Sequence, residues 1–273
     1  MQSVATFMPM AKRADVALTE RGLCASRSRA KLLIGEGKVL CEGVPVTKPS
    51  ALIEDTQALT VTEDLPFVGR GGLKLSGALE VFPVSLSGRI CMDIGASTGG
   101  FTDCMLQKGA AGVYAVDVGH GQLAETLRND SRVTDLEGTD VRDLSPSDLP
   151  ETPDFCSIDV SFISLKLVLP AVYALLAERA DCMSLIKPQF EAGRSDVGKG
   201  GIVRSRKAHL RVLRDVLETA QVLGFGIQGV CMSPIRGGDG NAEYLVYLTK
   251  GQEAPAAMPE LQIIVEAVEG MKA

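Results

Sequence analysis

The sequence has no tryptophan and only two histidines, His120 and His209, and its seven cysteines never form a C-x-x-C pair. Scattered, odd-numbered cysteines with so few histidines exclude a structural zinc site and a disulfide framework, so no metal is expected. Reduced thiols then point to the cytoplasm. Also missing is any apolar run of the roughly 18–20 residues that a bilayer-crossing helix needs. The longest, residues 167–177, contains Pro170 and is expected as a buried helix. Near the N-terminus the basic pair Lys12-Arg13 follows the apolar stretch instead of preceding it, so no signal-peptide arrangement is expected. An excess of positive charge is lacking too. The net charge of −6 argues against nucleic-acid binding by the chain as a whole.

What is present is a globular composition, 45% apolar and 23% charged over 273 residues, enough for one ordinary domain and a small one. The bases are unevenly placed. Residues 10–50 hold eight Lys and Arg against four Asp and Glu, so one small module is basic and the remainder acidic. Within it, Val16, Leu18 and Leu23 predict a short helix stopping near Gly22. Ser26 suits the N-cap of a second helix with Ala30, Leu33 and Ile34 on one face, ended by Gly35 and Gly37. A hairpin turning at Glu42-Gly43 and a strand over residues 58–62 complete an α+β module.

The phrase S-R-S-R-A-K-x-L-I-x-x-G-x-V makes this module, residues 10–63, resemble the RNA-binding domain named after small-subunit ribosomal protein S-four. The resemblance implies a basic helix lying along structured RNA by shape and charge. Arg13, Arg21, Arg27, Arg29 and Lys31 are the expected contacts; a solvated helix face is the plain alternative. A linker over residues 64–71 follows.

From residue 72 to 250, strand-like runs alternate with helical ones. Strands are expected at 90–94, 112–116, 133–137, 155–158, 182–186, 228–232 and 243–248, and helices at 75–81, 101–108 and 209–223. Such alternation predicts an α/β domain with a mostly parallel sheet, closed by an antiparallel hairpin because no helix fits between Pro234 and Glu243. Ligands in such sheets sit beyond the carboxyl ends of the strands.

The first of these strands runs into D-I-G-A-S-T-G-G-F-T-D, a turn at which the backbone can approach a ligand before a helix begins. Nicotinamide enzymes use a similar loop. Asp93 would meet the amino-acid end of a cofactor but repel a pyrophosphate. Asp117 ends the next strand, where a ribose-binding acid belongs, and Asp140 after the third could accept from an adenine amino group. Three acids at successive strand ends suit S-adenosyl-L-methionine, a sulfonium cation with no phosphate. Gly95, Ala96, Ser97, Thr98, Gly99, Gly100 and Phe101, with Val118, Val141 and Asp159, complete the expected cofactor site of a Rossmann-like class I methyltransferase.

Two further strand ends carry Asp159 and Lys187, polar groups that a core would not want. Lys74 lies in the loop before the first strand and Glu243 at the start of the last; surface ion pairs are the ordinary alternative. The phrases G-R-G-G-L-K-L, Y-A-V-D-V-G-H-G-Q-L, D-V-S-F-I-S-L, I-K-P-Q-F-E-A-G-R and G-K-G-G-I-V-R are similar to the TlyA family. These are ribosomal RNA 2′-O-methyltransferases with an FtsJ-like catalytic domain, historically labelled haemolysins. The resemblance implies a Lys-Asp-Lys-Glu tetrad at Lys74, Asp159, Lys187 and Glu243, cytidine 2′-hydroxyls as acceptors, and ribosomal RNA or ribosomal subunits as partners. Lys187 is the expected base, with Lys74 the cation that depresses its pKa, and Asp159 and Glu243 as orienting groups. Residues 191–204 are expected as a mobile loop over the site, with Lys199 and Arg204 turned to RNA phosphates, and 251–273 as a tail with a short helix. A membrane-lytic protein and a non-catalytic RNA-binding protein on the same fold are the competing readings.

Overall fold

The computed structural model describes residues 11–24, 26–64, 66–252 and 260–267. Met10, Leu65 of the expected linker, and Pro255 and Pro259 of the tail lie outside these residues. The chain divides into two compact units between Arg70 and Gly71.

The first unit runs β1 (Lys12–Arg13), α1 (Ala14–Glu20), α2 (Arg27–Gly35), β2 (Val39–Cys41), β3 (Val44–Pro45), β4 (Leu52–Ile53) and β5 (Leu59–Val61). Ala17 and Leu18 of α1 and Ala30, Leu33 and Ile34 of α2 close over Val39, Val46 and Ile53 in one small core. Ser26 caps α2 by accepting from the Arg29 amide. Gly37 past its end and the Glu42-Gly43 pair take positive φ, the pair making the tight hairpin turn whose twist matches its strands.

The second unit runs α3 (Gly71–Val81), β6 (Ile90–Ile94), α4 (Gly100–Gln107), β7 (Gly112–Asp117), α5 (Glu125–Arg128), β8 (Val133–Glu137), β9 (Phe155–Ile158), α6 (Leu165–Leu175), β10 (Ala180–Ile186), α7 (Pro188–Glu191), α8 (Arg206–Val222), β11 (Gly226–Met232), β12 (Tyr244–Lys250) and α9 (Leu261–Glu266). The sheet order is β11-β12-β10-β9-β6-β7-β8. Pairings from β10 through β8 are parallel, while β12 runs antiparallel to both its neighbours. β9 and β10 are buried along their whole length, as expected of strands covered on both faces. The strand order reverses beside β6, so a crevice opens past the ends of β6 and β9.

Two expectations shift. The helix expected from Leu75 starts at Gly71, which puts Lys74 on a helix and not in a loop. The last strand begins at Tyr244, leaving Glu243 at its threshold.

Asp15 holds the first unit together electrostatically. Its side chain has no solvent exposure and receives hydrogen bonds from Arg13 at 2.9 and 3.2 Å and from Arg27 at 3.0 Å. The Arg13 guanidinium above all, opposed by burial, holds the carboxyl at about 2. An unfolded aspartate titrates near ~3.9, so this contribution is complete above about pH 4 and lost as pH falls toward 2. Asp15→Ala is expected to lower the stability of this unit by about 1–3 kcal/mol and to remove that acid-sensitive step. Amide hydrogen exchange of residues 11–64 against pH measures both.

Candidate active site

The loop after β6 is shaped by what its side chains cannot be. Gly95 takes φ +82° over the chain leaving β9, and a Cβ there would stand 2.5 Å from the Asp159 carbonyl oxygen. Gly99, at φ +91°, would drive a Cβ into Leu127 and Leu123 at 2.2 and 2.9 Å. Glycine lets the segment after β9 approach the loop at Gly95, and Leu123 and Leu127 approach it at Gly99, this closely.

Asp93 does not face the crevice. It is fully buried, and its carboxylate accepts from the Thr102 amide at 2.8 Å, the Thr102 hydroxyl at 2.7 Å and the Ser157 hydroxyl at 3.1 Å. It ties the first turn of α4 to β9, so the residue expected to meet the ligand instead builds the loop that does. Asp117 behaves differently. One oxygen accepts from the Ser97 amide at 2.8 Å and the other from the Gly119 amide at 2.7 Å, at the mouth of the crevice.

A cavity of about 330 Å³ opens there. Of the residues expected to bind a cofactor, Gly95, Ser97, Asp117, Val118, Asp140, Val141 and Asp159 line it; Ala96, Thr98, Gly99, Gly100, Phe101 and Asp93 do not. Gln122, Ser161, Phe162 and Ile163 were not anticipated. Its described lining holds three carboxylates and no lysine or arginine, which suits a cationic ligand and disfavours a pyrophosphate. Asp140 is already engaged. Its carboxylate binds the Arg142 guanidinium at 2.6 Å and caps the following turn through the Arg142 amide, so it is no free acceptor for an amino group.

The four residues of the expected tetrad do come together. Lys187 Nζ lies 2.6 Å from Asp159 Oδ1, Asp159 Oδ2 lies 3.8 Å from Lys74 Nζ, and Lys74 Nζ lies 2.6 Å from Glu243 Oε2. The chain of charges alternates and closes neutral, with side chains only 2–17% exposed. Lys74 therefore carries its own counter-charge and does not act on Lys187 as a bare cation. Ser161, accepting from Lys187 Nζ at 2.9 Å, is a partner that sequence reasoning missed. Phe162 is another. It is 92% exposed, takes φ +64°, and its ring lies 4.9 Å from that of Phe190. A bulky side chain in the left-handed region, pushed into solvent at the cavity edge, signals a site and not a core. Both residues lie in the quoted phrase D-V-S-F-I-S-L, where only the acid drew notice.

Most of the basic residues expected to meet RNA already hold the first unit together. Arg13 and Arg27 bind Asp15; Arg21 donates to the carbonyls of Gln57 at 2.6 Å and Glu54 at 2.9 Å; Arg29 binds Asp64 and the Phe67 carbonyl. Lys31 is exposed and has no ion pair among the described residues. In the second unit, residues 191–204 are more than a plain loop. Short helical turns at Arg194–Asp196 and Lys199–Gly201 and a bridge from Val197 to Val203 give them shape, and Asn241 ties Val203 and Gly201 down.

Among the described residues no group of three His, Cys, Asp or Glu could hold a metal, and all seven cysteines are free. No helix among them is long and apolar enough to cross a membrane.

Residues 67–250 match the FtsJ-like methyltransferase family and residues 12–57 the S4 domain. The chain is 48% identical to YqxC of Bacillus subtilis (strain 168), a candidate rRNA methyltransferase, over 93% of both chains. It is 48% identical to the 16S/23S rRNA (cytidine-2′-O)-methyltransferase TlyA of Mycobacterium tuberculosis (strain ATCC 25618 / H37Rv), over 88% of this chain and 91% of that one. A solved structure of a haemolysin candidate from Streptococcus thermophilus superposes with a TM-score of 0.77 at 44% identity, covering 97% of each chain.

Burial pushes the Asp93 carboxyl up to about 7 against the three hydrogen bonds that favour its anion. Between about pH 4 and 7 the folded chain therefore keeps a proton that the unfolded chain has released, and stability falls as pH rises through that window. Asp93→Asn retains the Thr102 bonds and can donate to Ser157. It is expected to abolish this slope, worth a few kcal/mol, in urea unfolding midpoints taken from pH 4 to 8; an unaltered slope would assign it elsewhere.

Proposed function

We propose, for a chain that belongs to the FtsJ-like methyltransferase family in its TlyA group, that it transfers a methyl group from S-adenosyl-L-methionine to the ribose 2′-hydroxyl of a cytidine in ribosomal RNA. The observation that carries this is the position of Asp159, which lines the acid-rich cavity with one face and holds Lys187 at 2.6 Å with the other. The relatives named as rRNA (cytidine-2′-O)-methyltransferases support the substrate. A cytoplasmic location follows from this reading.

The residues present fit the cofactor. Asp117 would take ribose hydroxyls, Val118, Val141 and Ile163 would lie against the adenine, and Asp159 would face the sulfonium end. When bound, that group supplies a methyl carbon whose bond to sulfur breaks as its bond to the ribose oxygen forms. Lys187 Nζ, as the neutral amine left once it has released its own proton to solvent, takes the proton from the attacking hydroxyl, which is a poor nucleophile until that proton is drawn off. Asp159 and Ser161 fix the direction of Lys187, at 2.6 and 2.9 Å. Glu243 and Lys74 close the cluster so that no charge in it is left uncompensated. Holding the oxygen in line with the methyl carbon removes much of the entropic cost of bringing the two together. Phe162, exposed at the cavity edge, offers a face on which the acceptor base can stack.

Lys187→Ala is expected to lower methyl transfer by at least about 10³-fold while calorimetric affinity for S-adenosylmethionine stays unchanged. Mapping 2′-O-methyl sites in rRNA from cells with and without the gene, rescued by wild type or by this variant, tests both substrate and base. Retained methylation would sink the assignment of Lys187. Phe162→Ala is expected to reduce kcat/KM for RNA about ten- to a hundredfold, the range of one lost base–aromatic stack, with cofactor binding intact.

A further inference from the structure

The second unit is acidic only on average. Residues 193–214 hold seven Lys and Arg against a single Asp, a net +6 in a chain whose total is −6. The excess is denser than that of the first unit, where eight bases meet four acids over residues 10–50 and most of the arginines are bound internally. Arg194, Lys199, Arg204, Lys207 and Arg214 are exposed and have no ion pair among the described residues. Arg211 is taken by Asp196, and Arg206 has a partner of its own. Unneutralised like charges on one surface repel one another, and a polyanion relieves that repulsion.

The fold gathers these side chains together. α8 buries Ala208, Val212, Leu213, Val216 and Leu217 and turns Lys207, Arg211 and Arg214 outward. Spaced i, i+4 and i+7, the three share one face about 10 Å long. The Arg211–Asp196 pair lays the turn Arg194–Asp196 against that face. The bridge from Val197 to Val203 folds the chain between them into a narrow loop with Lys199 near its tip, and Arg204 leads into Ser205, the N-cap of α8. The segment is also anchored at the proposed tetrad. Its chain leaves from Lys187, and Asn241, two residues before Glu243, accepts from the Val203 amide and donates to the Gly201 carbonyl, both at 3.0 Å. His209 is a second anchor, with Nε2 at 2.9 Å from the Val203 carbonyl and Nδ1 at 2.7 Å from the hydroxyl of Tyr244, the residue after Glu243. The basic surface therefore borders the reacting centre.

An anionic membrane and a nucleic acid both fit a positive surface. None of the exposed large apolar side chains lies between Arg194 and Arg214, so the surface lacks the anchor by which a helix settles into a bilayer interface. Cations spread along a ridge suit the repeating phosphates of a strand. We propose that the outer face of α8 and the loop before it form a second RNA-binding surface, holding the phosphate backbone beside the acceptor nucleotide, with Lys207 and Arg214 at its centre. The proposal rests on the RNA reading above and places part of the RNA affinity on the catalytic unit. Contacts of this kind fix the register of the strand and leave the choice of nucleotide to the cavity edge. Lys199 and Arg204 were expected as RNA contacts from sequence; Arg194, Lys207 and Arg214 were not.

The test is the affinity of the full-length protein for purified ribosomal RNA across a salt series, run beside steady-state methylation. The double variant Lys207→Gln/Arg214→Gln is expected to bind about tenfold more weakly and to reduce the log–log salt slope by about 1.5. The loss should appear in KM for RNA with kcat close to wild type, and S-adenosylmethionine affinity should not move. Lys207→Arg/Arg214→Lys keeps both charges and should restore the slope, which separates a lost phosphate contact from a lost fold. Arg179→Gln removes an exposed cation at the far end of β10 and should leave the slope as it is. A wild-type slope in the double glutamine variant overturns the surface. An equal loss in Arg179→Gln also overturns it, since the effect would then be one of net charge. So does a double variant that holds rRNA at wild-type affinity but releases vesicles of phosphatidylglycerol and phosphatidylcholine, which assigns the patch to a membrane. If the wild type methylates no rRNA while the slope falls as expected in the variant, the function reading fails and the surface stands.

Discussion

The Asp159 carboxylate sits between two lysines, 2.6 Å from Lys187 and 3.8 Å from Lys74, and the edge of the sheet is organised around that placement. Charges this poorly hydrated are stable only when each has a partner. The alternation Glu243, Lys74, Asp159, Lys187 supplies one for every member. Losing any of the four strands an uncompensated charge, which in buried pairs generally costs about 3–5 kcal/mol. The cluster is therefore a structural unit before it is a chemical one. It also explains why four separate elements end at one point: α3, the exits of β9 and β10, and the entry to β12.

Polarity divides the region around the cluster. One side is a cavity lined by Asp117, Asp140 and Asp159; the other is a cavity whose described lining includes Arg204, Arg206 and Arg236. Glycine makes both cavities possible. Gly95 admits the chain leaving β9, and Gly237 admits Glu243, each at a distance where a Cβ would collide.

Much of this was legible in the primary structure because it is periodic. Apolar runs of four to seven residues, each followed by a polar group, placed all seven strands of the sheet to within two residues of their observed ends. The Ser26 cap and the Glu42-Gly43 turn were legible for the same reason, since each depends on local backbone geometry. Less legible was what each polar group does. Asp93 reads as a ligand contact because an acid follows a strand, yet the fold turns it inward onto Thr102 and Ser157. Asp140 sits at the cavity but is held by Arg142, and Arg13 and Arg27 are held by Asp15. Phe162 carries no signal in sequence at all. Only its φ of +64° and its exposure mark it.

By itself the sequence determined the alternation of strands and helices, the glycine turn after β6 and the residue types delivered to each strand end. Those follow from side-chain periodicity and local sterics, which act over a few residues. The tertiary structure decided pairing. Lys74 and Glu243 are 169 residues apart and meet at 2.6 Å because β12 inserts between β10 and β11. Which carboxylate meets which cation, and which is left facing a cavity, depends on that insertion. Electrostatic partnership is set by distance in space, and separation along the chain carries no information about it.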